Sequence, residues 1–116
     1  MGTKQAVGFE GLGIKTAVQP PPETEQKLKA ERVQEELKAM TGWRLLPNGR
    51  SLYRSRQFFL PGEAARYAAF AGELAAGQHQ RVNLYLAGTR VTVVVFGPKG
   101  AGGITPTVLG FARQLG

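Results

Sequence analysis

His79 is the only histidine in this 116-residue sequence, and the chain contains neither cysteine nor aspartate. Those absences bound the chemistry. A thiol nucleophile, a Cys-ligated zinc, a disulfide framework, an Asp–His–Ser triad, an EF-hand and a two-His zinc site are all excluded within one chain. A lone imidazole can serve as a general base, but it needs a neighbouring group to orient it. Beyond residue 40 the carboxylate side chains are Glu63 and Glu73, both within one expected helix. The ordinary role for such residues is solvated surface, and the ordinary role for His79, after Gly77-Gln78, is a helix end. No catalytic set, metal site or cofactor follows from these residues.

The other segment with chemical potential is Gly97-Pro98-Lys99-Gly100-Ala101-Gly102-Gly103, which leads into a helix. Glycine-rich turns at helix N-termini can hold anions. This one lacks both the Lys-Ser/Thr ending of a P-loop and the GxGxxG spacing, so a flexible connection is the default expectation.

Charge is unevenly distributed. Residues 1–40 hold six basic and six acidic side chains, whereas residues 41–116 hold nine basic and two acidic, so the whole net charge of +7 lies in the second part. Most of these cations are arginines, which make bidentate contacts to carboxylate and phosphate. The folded part is therefore expected to attract an anionic partner, with ordinary solubility charge as the plainer alternative. Arg54 and Arg56 alternate with Tyr53, Phe58 and Phe59, a basic–aromatic pattern compatible with nucleic acid. No recognised nucleic-acid motif accompanies it, so nucleic acid is not the expected partner.

The elements that would position these residues follow from periodicity. Residues 1–22, ending in Pro20-Pro21-Pro22, show no sustained period and are expected to form a flexible arm. Residues 23–116 form the domain. Its first helix is expected over Glu23–Met40, with Thr24 as its cap and Ala30, Val33, Leu37 and Met40 as a narrow apolar stripe. A hairpin follows: Trp43–Leu46, the turn Pro47-Asn48-Gly49, then Ser51–Phe59. Leu52, Arg54, Arg56 and Phe58 share one face of the second strand, and two adjacent arginines there predict a solvated or binding face. A second helix starts at Pro61 and runs to about Gly77, with Tyr67, Phe70, Ala71 and Leu74 as its stripe. A second hairpin has strands Val82–Leu86 and Thr89–Phe96 about Ala87-Gly88. Thr105 caps the last helix, with Pro106 at its first position and Val108, Phe111, Ala112 and Leu115 on one face.

The order α-β-β-α-β-β-α makes an α+β domain, a four-stranded antiparallel sheet with helices on one face. The strand Val91–Phe96 is apolar on both sides, so it is either central or meets another subunit. A homodimer through the sheet or the adjacent helix is expected. No run approaches the roughly 18 apolar residues of a membrane span. Gly, Lys and Glu interrupt the first twenty residues, and Ala6 occupies the position where a myristoylation signal needs Ser or Thr. The expectation is a soluble, cytoplasmic protein with no membrane association.

Residues 43–116, about two-thirds of the chain, resemble the pterin-4a-carbinolamine dehydratase family. The resemblance rests on Trp43 before the first hairpin, the run Phe58-Phe59-Leu60-Pro61-Gly62-Glu63-Ala64, and Tyr67 and Phe70 in the second helix. It continues with the strand Val91–Phe96, the glycine loop, and Gly103-Ile104-Thr105 opening the last helix. Dehydratases of this family use a His-His-Pro after the second helix, a further His at the end of the last strand, and an Asp in the last helix. By position, the first site falls across His79, Gln80, Arg81 and Val82, the further His at Lys99, and the Asp at Val108. The resemblance thus implies a vestigial active site of His79, Gln80, Arg81, Lys99 and Val108. At most one catalytic imidazole survives, and dehydration of a carbinolamine needs a positioned acid and base.

The resemblance implies a non-catalytic branch of that family, similar to an assembly factor for Rubisco associated with the α-carboxysome. On that reading the chain is not an enzyme. It needs no cofactor, and Rubisco subunits are its expected client. The client would meet a basic patch at Gln80, Arg81, Asn83 and Lys99, with Arg54 and Arg56 as secondary contacts. A residual 4a-hydroxytetrahydrobiopterin dehydratase and a nucleic-acid-binding module are the alternatives.

Overall fold

The strand richest in β-branched residues lies inside the sheet. The structure, a computed structural model, describes residues 26–116. In chain order the elements are α1 (Ala30–Leu37), β1 (Arg44–Leu45), β2 (Ser51–Gln57), α2 (Pro61–Gly77), β3 (Val82–Ala87), β4 (Arg90–Phe96) and α3 (Pro106–Gln114). The sheet order is β1-β2-β4-β3 and every pairing is antiparallel. The expected element order and four-stranded antiparallel sheet are both present.

Register explains the double-sided apolarity of β4. Val91, Val93 and Val95 are fully buried, opposite Arg56, Arg54 and Leu52 of β2 and Leu86, Leu84 and Val82 of β3. Thr92, Val94 and Phe96 point to the other face and are half-buried. Two neighbouring strands satisfy the β4 backbone, so its β-branched residues suit an interior strand. The buried valines join Ala64, Ala71 and Ala75 of α2 and Val108, Leu109, Phe111 and Ala112 of α3 in one core. Alanines at those α2 positions let the helix approach the sheet closely.

α1 is shorter than its periodicity predicts. Residues 26–29 are not helical. The Leu28 N–H donates to the Ile104 carbonyl at 2.7 Å, and the Lys27 stem lies where a Cβ on Gly103 would meet it at 3.0 Å. Tertiary pairing with the loop before α3 overrides helix propensity there. At the other end the Ala39 and Met40 amides bond three residues back, and Gly42 at φ 84 ends the turn. Val33, Leu37 and Met40 are buried as their spacing predicts, but Ala30 is exposed. The expected arm over residues 1–22 and the expected Thr24 cap lie outside the described residues.

The remaining boundaries move by one or two residues, each for a local reason. β2 ends at Gln57; the Phe58 N–H still donates to the Thr89 carbonyl at 2.8 Å, and its ring packs on Tyr67 with centroids 5.2 Å apart. The Glu63 carboxylate accepts the Leu60 N–H at 3.2 Å, starting α2 at Pro61 as expected. Ala87 pairs with Arg90, so the hairpin turn is Gly88-Thr89, with Gly88 at φ 64, rather than Ala87-Gly88. Phe70 is 46% exposed, off the buried side of α2. Thr105 caps α3 by accepting the Val108 N–H, and Val108, Phe111, Ala112 and Leu115 are all buried as expected. No helix among the described residues is long and apolar enough to cross a membrane.

Candidate functional site

Antiparallel pairing brings three chain segments together at one end of the sheet. β4 ends at Phe96, and the strands on either side of it both begin there. On the β2 side, the Gly97 N–H donates to the Arg50 carbonyl at 2.9 Å; on the β3 side, the Phe96 N–H donates to the Arg81 carbonyl at 3.0 Å. Arg50 and Arg81 therefore flank the exit of the same strand, and Lys99 follows in the loop between them.

The exit of α2 completes the site. The Gln80 N–H donates to the Ala75 carbonyl at 2.8 Å and the His79 N–H to the Ala76 carbonyl at 3.3 Å. His79 sits at φ 54, the left-handed position between them. This is a Schellman ending, in which glycine or asparagine usually fills the left-handed position. α2 runs to Gly77 as expected, and the left-handed residue at its exit is His79. Gln80 then clamps the exit to the strand: its Nε2 donates to the Phe96 carbonyl at 2.7 Å and to its neighbour, the Arg81 carbonyl, at 3.2 Å.

His79, Gln80, Arg81, Phe96, Gly97, Pro98, Lys99 and Gly100 line a cavity of about 450 Å³. A second cavity of about 240 Å³ shares Arg81, Gly97, Pro98 and Lys99 and adds Arg50, Gly102 and Gly103. Among the described residues no carboxylate side chain lines either. The Arg81 guanidinium lies over the Phe96 ring, 4.7 Å from its centroid. The ion pairs among the described residues are Arg32–Glu36, Lys38–Glu35 and Arg113–Glu36, all on α1 carboxylates. Arg50, Arg81 and Lys99 take part in none of them. Cations without an ion-pair partner among the described residues, around a partly apolar hollow, make a site for an anion. Among the described residues no group of three or more potential metal ligands comes together.

The glycine loop is closed on itself and on the start of β2. Gly97 is bonded to Arg50, the Ala101 N–H donates to the Pro98 carbonyl at 3.1 Å, and Gly97 packs under Gly103 with no room for a Cβ. The expected flexible connection is thus a closed loop that holds Lys99 beside Arg50 and Arg81.

The structure gathers His79, Gln80, Arg81 and Lys99 as the sequence implied and separates the rest. Val108 does not line the cavity. It is 1% exposed in the core beneath α3, as its apolar stripe position requires. Asn83 lies one row further along the outer sheet face, opposite Val94, with its Nδ2 donating to the Tyr85 hydroxyl at 3.3 Å. Arg54 corrects the expectation of two solvated arginines. It is 8% exposed, donates to the Gly116 carbonyl and the Tyr67 hydroxyl at 2.7 Å each, and stacks its guanidinium 4.8 Å from the Trp43 ring centroid. A buried guanidinium needs such partners, and these commit it to the interior rather than to a client. Arg56 is exposed but lies over Phe58 and Tyr67, 5.0 Å from each centroid. Arg50 is the site residue that the sequence reading did not single out.

No family model matches the chain, and no curated protein matches it in sequence. Among solved structures, it is similar to the transcriptional coactivator/pterin dehydratase from Brucella melitensis. The TM-score is 0.69 at 23% identity, over 78% of this chain and 95% of that one. The fold is pterin dehydratase-like. That assignment agrees with the resemblance carried by Trp43, the Phe58–Ala64 run and Gly103-Ile104-Thr105, and it concerns architecture alone.

Proposed function

We propose that this chain is a non-enzymatic assembly factor for Rubisco, associated with the α-carboxysome in the cytoplasm, that uses a pterin dehydratase-like scaffold to hold an acidic client surface. The observation that carries this reading is the lining of the cavity at the α2 exit. One imidazole, His79, stands with Arg81 and Lys99, and among the described residues no carboxylate side chain joins them. Proton transfer needs an acid and a base near their working pKa, whereas arginine and lysine carry fixed charge suited to electrostatic recognition. The vestigial positions at Gln80, Arg81 and Lys99 support the same reading. The chain acts as a homodimer in this proposal, the commonest symmetric arrangement among soluble oligomers.

Co-expression with a matched Rubisco should raise the yield of assembled, soluble enzyme. An unchanged yield counts against the proposal.

A second reading, residual carbinolamine dehydratase, is favoured by one observation: the cavity of about 450 Å³ has room for a bicyclic ring and includes His79. The two readings part on one assay. Decay of the carbinolamine at the buffer rate supports the assembly factor, and acceleration abolished by His79→Ala supports the dehydratase.

A further inference from the structure

We infer that the paired cavities at the end of β4 recognise a short acidic peptide segment built around an aliphatic side chain, the carboxylates meeting Arg50, Arg81 and Lys99 and the apolar group resting against Pro98 and Phe96. This rests on the reading of the site as a docking surface and names what docks there.

Three features select this ligand. First, Arg81 and Lys99 line both of two adjoining cavities, about 450 and 240 Å³, and Arg50 joins them in the smaller one. Three fixed cations over two cavities offer partners to more than one carboxylate. Second, two of the loop's amides are turned away from a phosphate, because the Gly97 and Ala101 N–H groups point inward to the Arg50 and Pro98 carbonyls. Third, the ring in the cavity, Phe96, already carries the Arg81 guanidinium on one face, so that face is not free to stack a nucleobase. The stacked Arg81 is held in place before any ligand arrives, so less side-chain freedom is lost on binding.

The test is fluorescence anisotropy with the full chain and a labelled, end-blocked peptide of one leucine flanked by two glutamates on each side. Controls replace the glutamates with glutamines or the leucine with serine. The expected result is binding of the glutamate peptide that weakens steeply between roughly 50 and 200 mM salt. It should be at least about tenfold weaker for the glutamine peptide, as expected when charge complementarity is lost, and weaker again for the serine peptide. Arg50→Gln, Arg81→Gln and Lys99→Gln should each reduce affinity by about three- to tenfold with an unchanged thermal midpoint, while Arg90→Gln, at the opposite end of β4, should change neither. Equal binding of the glutamate and glutamine peptides, indifference to the three substitutions, or full displacement by an equimolar amount of inorganic phosphate would each overturn the inference. Absent peptide binding alongside a raised Rubisco yield overturns this inference and leaves the proposed function standing. Peptide binding alongside an unchanged yield upholds the site and removes the client.

Discussion

Gly97 packs so closely beneath the Gly103 carbonyl oxygen that any side chain at residue 97 would collide with it. The contact closes the loop that carries Lys99 and sets it against Arg50 and Arg81. Gly97→Ala must therefore push two backbone segments apart. A loss of about 1–3 kcal/mol is expected, the usual range for forced overpacking, read as a lower urea midpoint at unchanged m-value. The same variant should lose client binding, because Lys99 no longer sits in the shared wall.

His79 ends α2 in a left-handed conformation at φ 54, which costs a non-glycine residue on the order of 1–2 kcal/mol. Glycine there relieves that strain but adds freedom to the unfolded chain. His79→Gly should raise stability by roughly 0.5–1 kcal/mol net, seen as a higher melting midpoint. A lower midpoint would mean that the imidazole makes a stabilising contact.

Arg54 and Tyr67 form the polar centre of the interior. Tyr67→Phe deprives the buried guanidinium of one acceptor and should cost about 1.5–3 kcal/mol, the range for a hydrogen bond to a charged group. Arg54→Met keeps most of the packing volume and removes the charge, so it should cost less than Arg54→Ala. In the Arg54→Met background Tyr67→Phe should cost much less than in the wild type, a coupling that a double-mutant cycle measures.

Ser51 is 1% exposed and its Oγ is buried with no hydrogen-bond partner among the described residues. Burying a hydroxyl without a partner costs free energy that alanine does not incur. Ser51→Ala should raise unfolding stability by about 1 kcal/mol, measured by urea denaturation; a loss of similar size would contradict this account.

These positions also mark how far the sequence reaches. The α2 start at Pro61, the Thr105 cap and the α3 stripe were legible because each depends on residues within one or two turns. The cluster of His79, Gln80, Arg81 and Lys99 was legible only through family resemblance. Arg50 was hidden because its place depends on β2 pairing with β4, a neighbour far along the chain, rather than on its own hairpin. Arg54 misled for a similar reason: alternation puts it on the same face as Leu52, but the partners that make its burial tolerable, Tyr67, Trp43 and the Gly116 carbonyl, come from distant segments. The shortened α1 reflects the Leu28–Ile104 hydrogen bond, a long-range contact that helical periodicity does not encode.

The proposal that this cavity docks a client rather than turning over a substrate is tested most directly by measuring assembled Rubisco after co-expression with the wild-type chain and with an Arg81→Gln/Lys99→Gln double variant. The account predicts a raised yield with the wild type and a return to the level without any factor for the double variant, whose own melting midpoint stays unchanged. Equal yields from the wild type and the double variant would contradict it.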